Sequence, residues 1–177
     1  YHFDQLSTAL SLEPLRRAKS NGMDVTAGVS IHHLTLNEMD IGDYRTFFKI
    51  KPPLRSEADR LAMVGAVADG TIDIISSMHT PQDEESKRLP YEEAASGAVG
   101  LETILSASLQ LFHNGSITLP QLFRALSLNP AKRFNLPVGT SKLHPDFFSE
   151  TMKGAPKWQR YRRSPFASES QAAVGPC

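Results

Sequence analysis

A short apolar run opening directly onto a polar loop constrains this chain most. Residues 72–76, Ile-Asp-Ile-Ile-Ser, are followed by Met78-His79-Thr80-Pro81-Gln82. The run has the length and β-branched content of a strand buried on both faces, which is the signature of a parallel sheet. Parallel strands need crossover connections, and the preceding sequence supplies them. Residues 1–6 and 25–31 read as two further strands, the second ending in His32-His33. Between them, Ser11 stands as the cap of a helix with Glu13 and Pro14 in its first turn and Leu12, Leu15 and Ala18 on its apolar side; Asn21-Gly22 stops it. Ser56 caps a second helix, with Glu57 and Asp59 near its positive end and Leu61, Val64 and Val67 or Ala68 on its inner face. Residues 46–50 read as extended, stopped by Pro52-Pro53. The rhythm of strand, helix, strand, helix, strand predicts an α/β fold with a parallel sheet.

Beyond the third strand, residues 80–90 read as a long charged loop, in which Asp83, Glu84 and Glu85 form a solvated face. Residues 101–113 read as a helix with Leu101, Leu105, Leu109 and Phe112 on one side, ended by Asn114-Gly115. Glu102 near its start reads as a dipole-stabilised cap. Thr118 caps residues 119–126, and Asn129-Pro130 opens a last short helix over 131–134. From Ser141 the periodicity stops and the ending is rich in Ser, Ala, Gly and Pro, so residues 141–177 read as an irregular tail. The domain division expected is 1–140 and 141–177.

Composition excludes several classes. Net charge is zero, which gives no global attraction to nucleic acid or an anionic membrane. No apolar run approaches the roughly 20 residues that span a bilayer. The lone Cys177 supports neither an intrachain disulfide framework nor a cysteine zinc site, and fits a reducing, cytoplasmic setting. Tail cations Lys153, Lys157, Arg160, Arg162 and Arg163, interleaved with Trp158 and Tyr161, suit single-stranded nucleic acid only weakly, and a solvated tail is the favoured reading.

Taken in order, YHFDQLST, VTAGVSIHHLTL, FFKIKPPLRSEADR, DGTIDIISSMHTPQDEESK, GAVGLET and SLNPAKRFNLPVGT resemble segments of the class I dihydroorotases of the amidohydrolase superfamily. The resemblance implies the C-terminal part of a (β/α)8 barrel, with residues 1–6, 25–31 and 72–76 as its sixth, seventh and eighth strands. It marks the chain as a fragment, whose SKLHPDFF continuation departs from the family and looks like a frameshift or truncation product. The family's reaction is the reversible closure of N-carbamoyl-L-aspartate to dihydroorotate in pyrimidine synthesis. Active members use zinc to generate hydroxide, with an aspartate at the eighth strand's end holding metal and moving the proton.

Carried over residue by residue, these roles fail here. Gln5 stands where the sixth-strand zinc-binding His is expected, and Lys51 where an Asn holds substrate. Met78 replaces the catalytic Asp, and Gln82 the His that contacts substrate. No catalytic residue and no metal ligand is therefore expected in this chain. His79 is a ligand only if the strand bulges, because neighbouring side chains on a strand point to opposite faces. His32 and His33 read as structural, bonded to loop backbone. Arg55 of the PPLR segment either clamps a substrate carboxylate or ties the long loop to the barrel. Loss confined to the chemistry resembles the non-catalytic homologues that support aspartate carbamoyltransferase. The partner expected is thus that enzyme or a second copy, with no nucleic acid and no membrane. The alternative is an active zinc-dependent hydrolase when full length.

Overall fold

A computed structural model describes residues 1–136. The proposed tail and its boundary with the body lie outside the described residues. Three strands form a parallel sheet in the order β1 (His2–Phe3), β2 (Thr26–Ser30), β3 (Ile74–Ser76). His2 pairs with Thr26 and Phe3 with Ala27; Gly28, Val29 and Ser30 face Ile74, Ile75 and Ser76. Helix α1 (Leu12–Ser20) links the first two strands. A short helical turn α2 (Ile31–Thr35), a long loop and α3 (Glu57–Ala68) link the second and third. Then come α4 (Glu84–Arg88), α5 (Ile104–His113), α6 (Leu119–Phe123), one π-helical turn over Arg124–Leu128, and α7 (Asn129–Arg133).

Local chemistry explains most of these boundaries. Ser56 Oγ accepts from Asp59 N at 3.2 Å and caps α3. Thr118 and Gln121 form a reciprocal capping box at the start of α6. Gly22, Gly70 and Gly115 follow helices with left-handed φ values of 73°, 79° and 76°. The main core lies between sheet and helices, where Val29, Ile31, Leu34, Met63, Ile72, Ile75, Leu111 and Leu122 pack together. Asp73 pins the sheet to its helices. Its carboxylate accepts from Ala27 N at 2.8 Å and from Lys19 Nζ at 2.8 Å, while its carbonyl accepts from Asn129 Nδ2 at 2.7 Å.

Several sequence expectations are corrected. β2 stops at Ser30, because the Ser30 hydroxyl accepts from His32 N at 3.2 Å and starts a helical turn; the histidine pair is helical rather than the end of a strand. Thr46–Phe48 is a 3-10 turn, not extended chain. The charged loop contains α4, capped by Asp83, whose carboxylate accepts from Ser86 N at 2.7 Å. The Ser11 hydroxyl donates to Thr8 O at 2.6 Å instead of capping α1. Leu61 and Leu101 are exposed; α3 buries Met63, Val64, Ala66 and Val67, and α5 buries Ala107, Ser108 and Leu111. The last short helix does open at Asn129-Pro130, but it runs Asn129–Arg133 rather than over 131–134 and follows the π turn without a break.

Candidate functional site

The three strands deliver their C-terminal ends to one side of the sheet, where active sites of parallel α/β folds are built. Two residues there hold left-handed backbone: Gln5, just past β1, at φ 59°, and Met78, just past β3, at φ 43°. Non-glycine residues adopt this region at a cost, and the surroundings must impose it. Asp4 Oδ1 accepts from Gln5 N at 2.8 Å, and Leu6 N donates to Gly28 O at 2.9 Å, which fixes the turn after β1.

A pocket of about 20 Å³ lies beyond β2 and β3, walled by Ser30, His32, His33, Lys51, Met78 and Thr80 among others. Such a volume suits one water or one ion. His33 Nε2 lies 3.1 Å from the Pro53 carbonyl oxygen. A carbonyl only accepts, so this nitrogen carries the ring proton. The bond to loop backbone matches the structural role expected of His33. Burial is the main cause holding both imidazoles neutral. His32 is lowered to about 4, with His33 adding to the effect; His33 is also lowered, and Arg55 contributes less than burial.

Met78 and Lys51 both line this pocket. His79 does not join them. It bridges to Ala98, and its Nδ1 accepts from Gly100 N and Leu101 N, both at 3.2 Å. The ring is spent on holding two loops together. Gln82 packs over Gly97 at the rim; a Cβ on Gly97 would sit 3.1 Å from Gln82 Nε2. Arg55 Nε donates to Ser7 Oγ at 3.4 Å, and its carbonyl accepts from Glu38 N at 2.8 Å. Of the two readings of Arg55, these bonds serve the tie between the long loop and the segment after β1. Gln5 lies two residues before Ser7, outside the pocket lining.

Sequence reasoning missed the loop layer that roofs this site. Lys87 is nearly inaccessible and donates through Nζ to Thr46 O at 3.0 Å and Lys49 O at 3.4 Å. Burial lowers its pKa, and Lys49 lowers it further. Lys49 Nζ in turn donates to Tyr91 O at 2.7 Å and Glu92 O at 2.8 Å. The signal available in sequence was the Gly-Ala-Val-Gly step. A Cβ on Gly100 would lie 1.9 Å from Ser77 O, so only glycine permits this approach of the two loops.

A zinc centre of the family's sort wants imidazole and carboxylate donors. The residues here do not fit it: the pocket offers no carboxylate, and among the described residues no three His, Cys, Asp or Glu side chains gather where they would hold a metal. No described helix is long and apolar enough to cross a membrane.

Comparison with known proteins agrees with the fold. No family model matches the chain. The dihydroorotase of Ehrlichia canis (strain Jake) is 45% identical over 142 residues, 80% of this chain and 32% of that protein. The dihydroorotase of the Wolbachia of Brugia malayi is 45% identical over 139 residues, 78% of this chain and 31% of that protein. Among solved structures, the L-hydantoinase of Arthrobacter aurescens superposes with a TM-score of 0.73 at 26% identity, covering 80% of this chain and 34% of that one. The dihydropyrimidinase of Brevibacillus agri, at 20% identity and a TM-score of 0.71, shares the fold. The chain spans about a third of the length of the curated relatives it matches. Over about 80% of its length the chain is thus similar in sequence to dihydroorotases, and its partial parallel sheet is similar to that of a hydantoinase.

Proposed function

We propose that this chain supplies the sixth to eighth strands of a dihydroorotase-type (β/α)8 barrel whose chemistry has been lost, and which acts in pyrimidine synthesis as a scaffold. The observation that carries the reading is the pocket beyond β3. Where the family's reaction needs an acid–base group, Met78 stands among neutral imidazoles and Lys51. A thioether neither takes up nor releases a proton, so closure or opening of a cyclic amide has no shuttle there. Gln5 and Gln82 point the same way, because an amide is a weak zinc donor and cannot replace an imidazole that contacts substrate. His79 offers no rescue while its Nδ1 receives two backbone amides.

The scaffold role follows from what remains. Arg55, the glycine pair at 97 and 100, and the capped helices keep the barrel segment ordered without serving turnover. The partner that fits by resemblance is aspartate carbamoyltransferase, or a second copy of the barrel, in a cytoplasmic setting. The test uses the longest protein that contains this chain, purified and loaded with zinc. It should show no hydrolysis of dihydroorotate, and it should co-sediment with aspartate carbamoyltransferase. Robust turnover that vanishes on His79→Ala would establish the opposite reading, an active zinc-dependent enzyme converting N-carbamoyl-L-aspartate and dihydroorotate.

A further inference from the structure

We propose that the Asn21-Gly22 step at the end of α1 is a site of spontaneous covalent modification, where the side-chain amide is lost and the backbone rearranges to isoaspartate. The sequence holds two Asn-Gly steps, this one and Asn114-Gly115. In such a step the amide nitrogen of the glycine attacks Cγ of the asparagine. An N–Cγ bond forms, the Cγ–Nδ2 bond breaks, and ammonia leaves with the proton of the attacking nitrogen. Water then opens the cyclic imide at either carbonyl, giving aspartate or isoaspartate, and no other reactant takes part. Glycine favours the attack because it has no Cβ to hinder the closing ring.

Both steps end a helix in the same way. Gly22 N donates to Lys19 O at 3.0 Å and Met23 N to Ala18 O at 3.1 Å, closing α1. Gly115 N donates to Phe112 O at 2.9 Å and Ser116 N to Leu111 O at 3.0 Å, closing α5. The backbones match, with φ −78° and ψ 5° at Asn21 and φ −85° and ψ 4° at Asn114. While these bonds hold, the glycine nitrogen is engaged with a carbonyl, so the reaction proceeds from a locally opened helix end. The two ends differ in what keeps them shut. Asn114 Oδ1 accepts from Ser116 N at 3.0 Å. Beyond it Ile117 is 3% exposed and donates its N–H to Leu111 O at 3.1 Å. Both the reacting amide and the chain that follows are fixed there. Asn21 is exposed, and its side-chain amide has no hydrogen-bond partner among the described residues. Met23 beyond it is 55% exposed. The end of α1 therefore opens at lower cost, with its amide already free to turn.

Either product places a carboxylate at the negative end of α1, which destabilises it. Isoaspartate also lengthens the main chain by a methylene and shifts Gly22 and Met23 out of register with the helix. Asp24 follows directly, accepting from Arg133 Nη1 at 2.7 Å and, through its carbonyl, from Tyr1 N at 2.8 Å. Modification thus loosens the entry to β2, the central strand.

The experiment keeps the full chain at mildly alkaline pH and reads each step over time by peptide mapping, from the mass gained when an amide becomes a carboxylate. Asn21 should convert at least about fivefold faster than Asn114, the weight of one hydrogen bond in a local opening equilibrium. In urea beyond the unfolding midpoint the two rates should come together, because each is then an Asn-Gly step in open chain. Asn21→Gln should abolish the faster conversion and leave that of Asn114 unchanged. In the modified chain, hydrogen exchange should quicken at residues 18–26 and stay as it was at Ile74 and Ile75. No conversion of Asn21, equal rates in the folded chain, a rate difference that survives in urea, or unchanged exchange at residues 18–26 would overturn the proposal.

Discussion

In the helix-backed body, Met63, Ile72 and Leu122 are buried in one continuous apolar cluster. In the loop layer over the strand ends, the apolar cluster is small, with Phe48, Ile50, Leu54 and Ala98 at its centre. That layer relies instead on side chains bonded to backbone: Lys49 and Lys87 to four carbonyls, and His79 to two amides. Apolar packing is cooperative and tolerates changes of detail, whereas each polar clasp holds one crossing and fails alone. Met78, Lys51 and Gln82, the positions proposed to depart from the family's chemistry, all sit on the clasped side. A barrel segment of this kind can therefore change its chemistry without disturbing its core.

The largest effect should come from the body. Leu122→Ala removes a fully buried side chain and should lower global stability by about 2–5 kcal/mol, read by denaturant unfolding. Equal protection of loop and core amides in that variant would show that the two layers form one cooperative unit. A smaller and local effect is expected from Gly100→Ala. The new Cβ collides with Ser77 O, and about 1–3 kcal/mol should appear as faster hydrogen exchange at residues 77–80 and 97–101, with core amides unchanged. Smallest is a pH effect carried by Lys87. Its folded pKa lies below that of an unfolded lysine, so between the two values the unfolded chain holds the extra proton. Stability should then rise as pH climbs through that window, and be lower beneath it. Lys87→Met should flatten the slope in denaturant melts taken from neutral to alkaline pH; an unchanged slope would assign the charge no role in the clasp.

What could be read in advance follows the same division. The strand at Ile74–Ser76 and the capped starts at Ser56 and Thr118 depend on neighbours in sequence, and each was legible. The inner face of α5 was not. Its leucine stripe suggested one side, yet Ala107, Ser108 and Leu111 are the residues turned inward. Which face a helix buries depends on where the rest of the chain lies, and small residues win where α2 packs closely against it. At the site, the position of Met78 just past the strand end was plain from sequence, while the burial of His32, His33 and Lys87 was not. Burial of a polar residue depends on distant partners such as Pro53 and Thr46, which no local pattern announces.

Asp73 gives the fold a kinetic character. Its bonds to Ala27, Lys19 and Asn129 join positions 46, 54 and 56 residues apart. None forms until long stretches of chain have closed, and the entropy of that closure must be lost before the bonds are gained. Parallel pairing that waits on such distant contacts is slow. The helices that flank Asp73 can form from local signals, but β3 takes its place late, and until it does the edge of β2 stands open to any other strand that reaches it first.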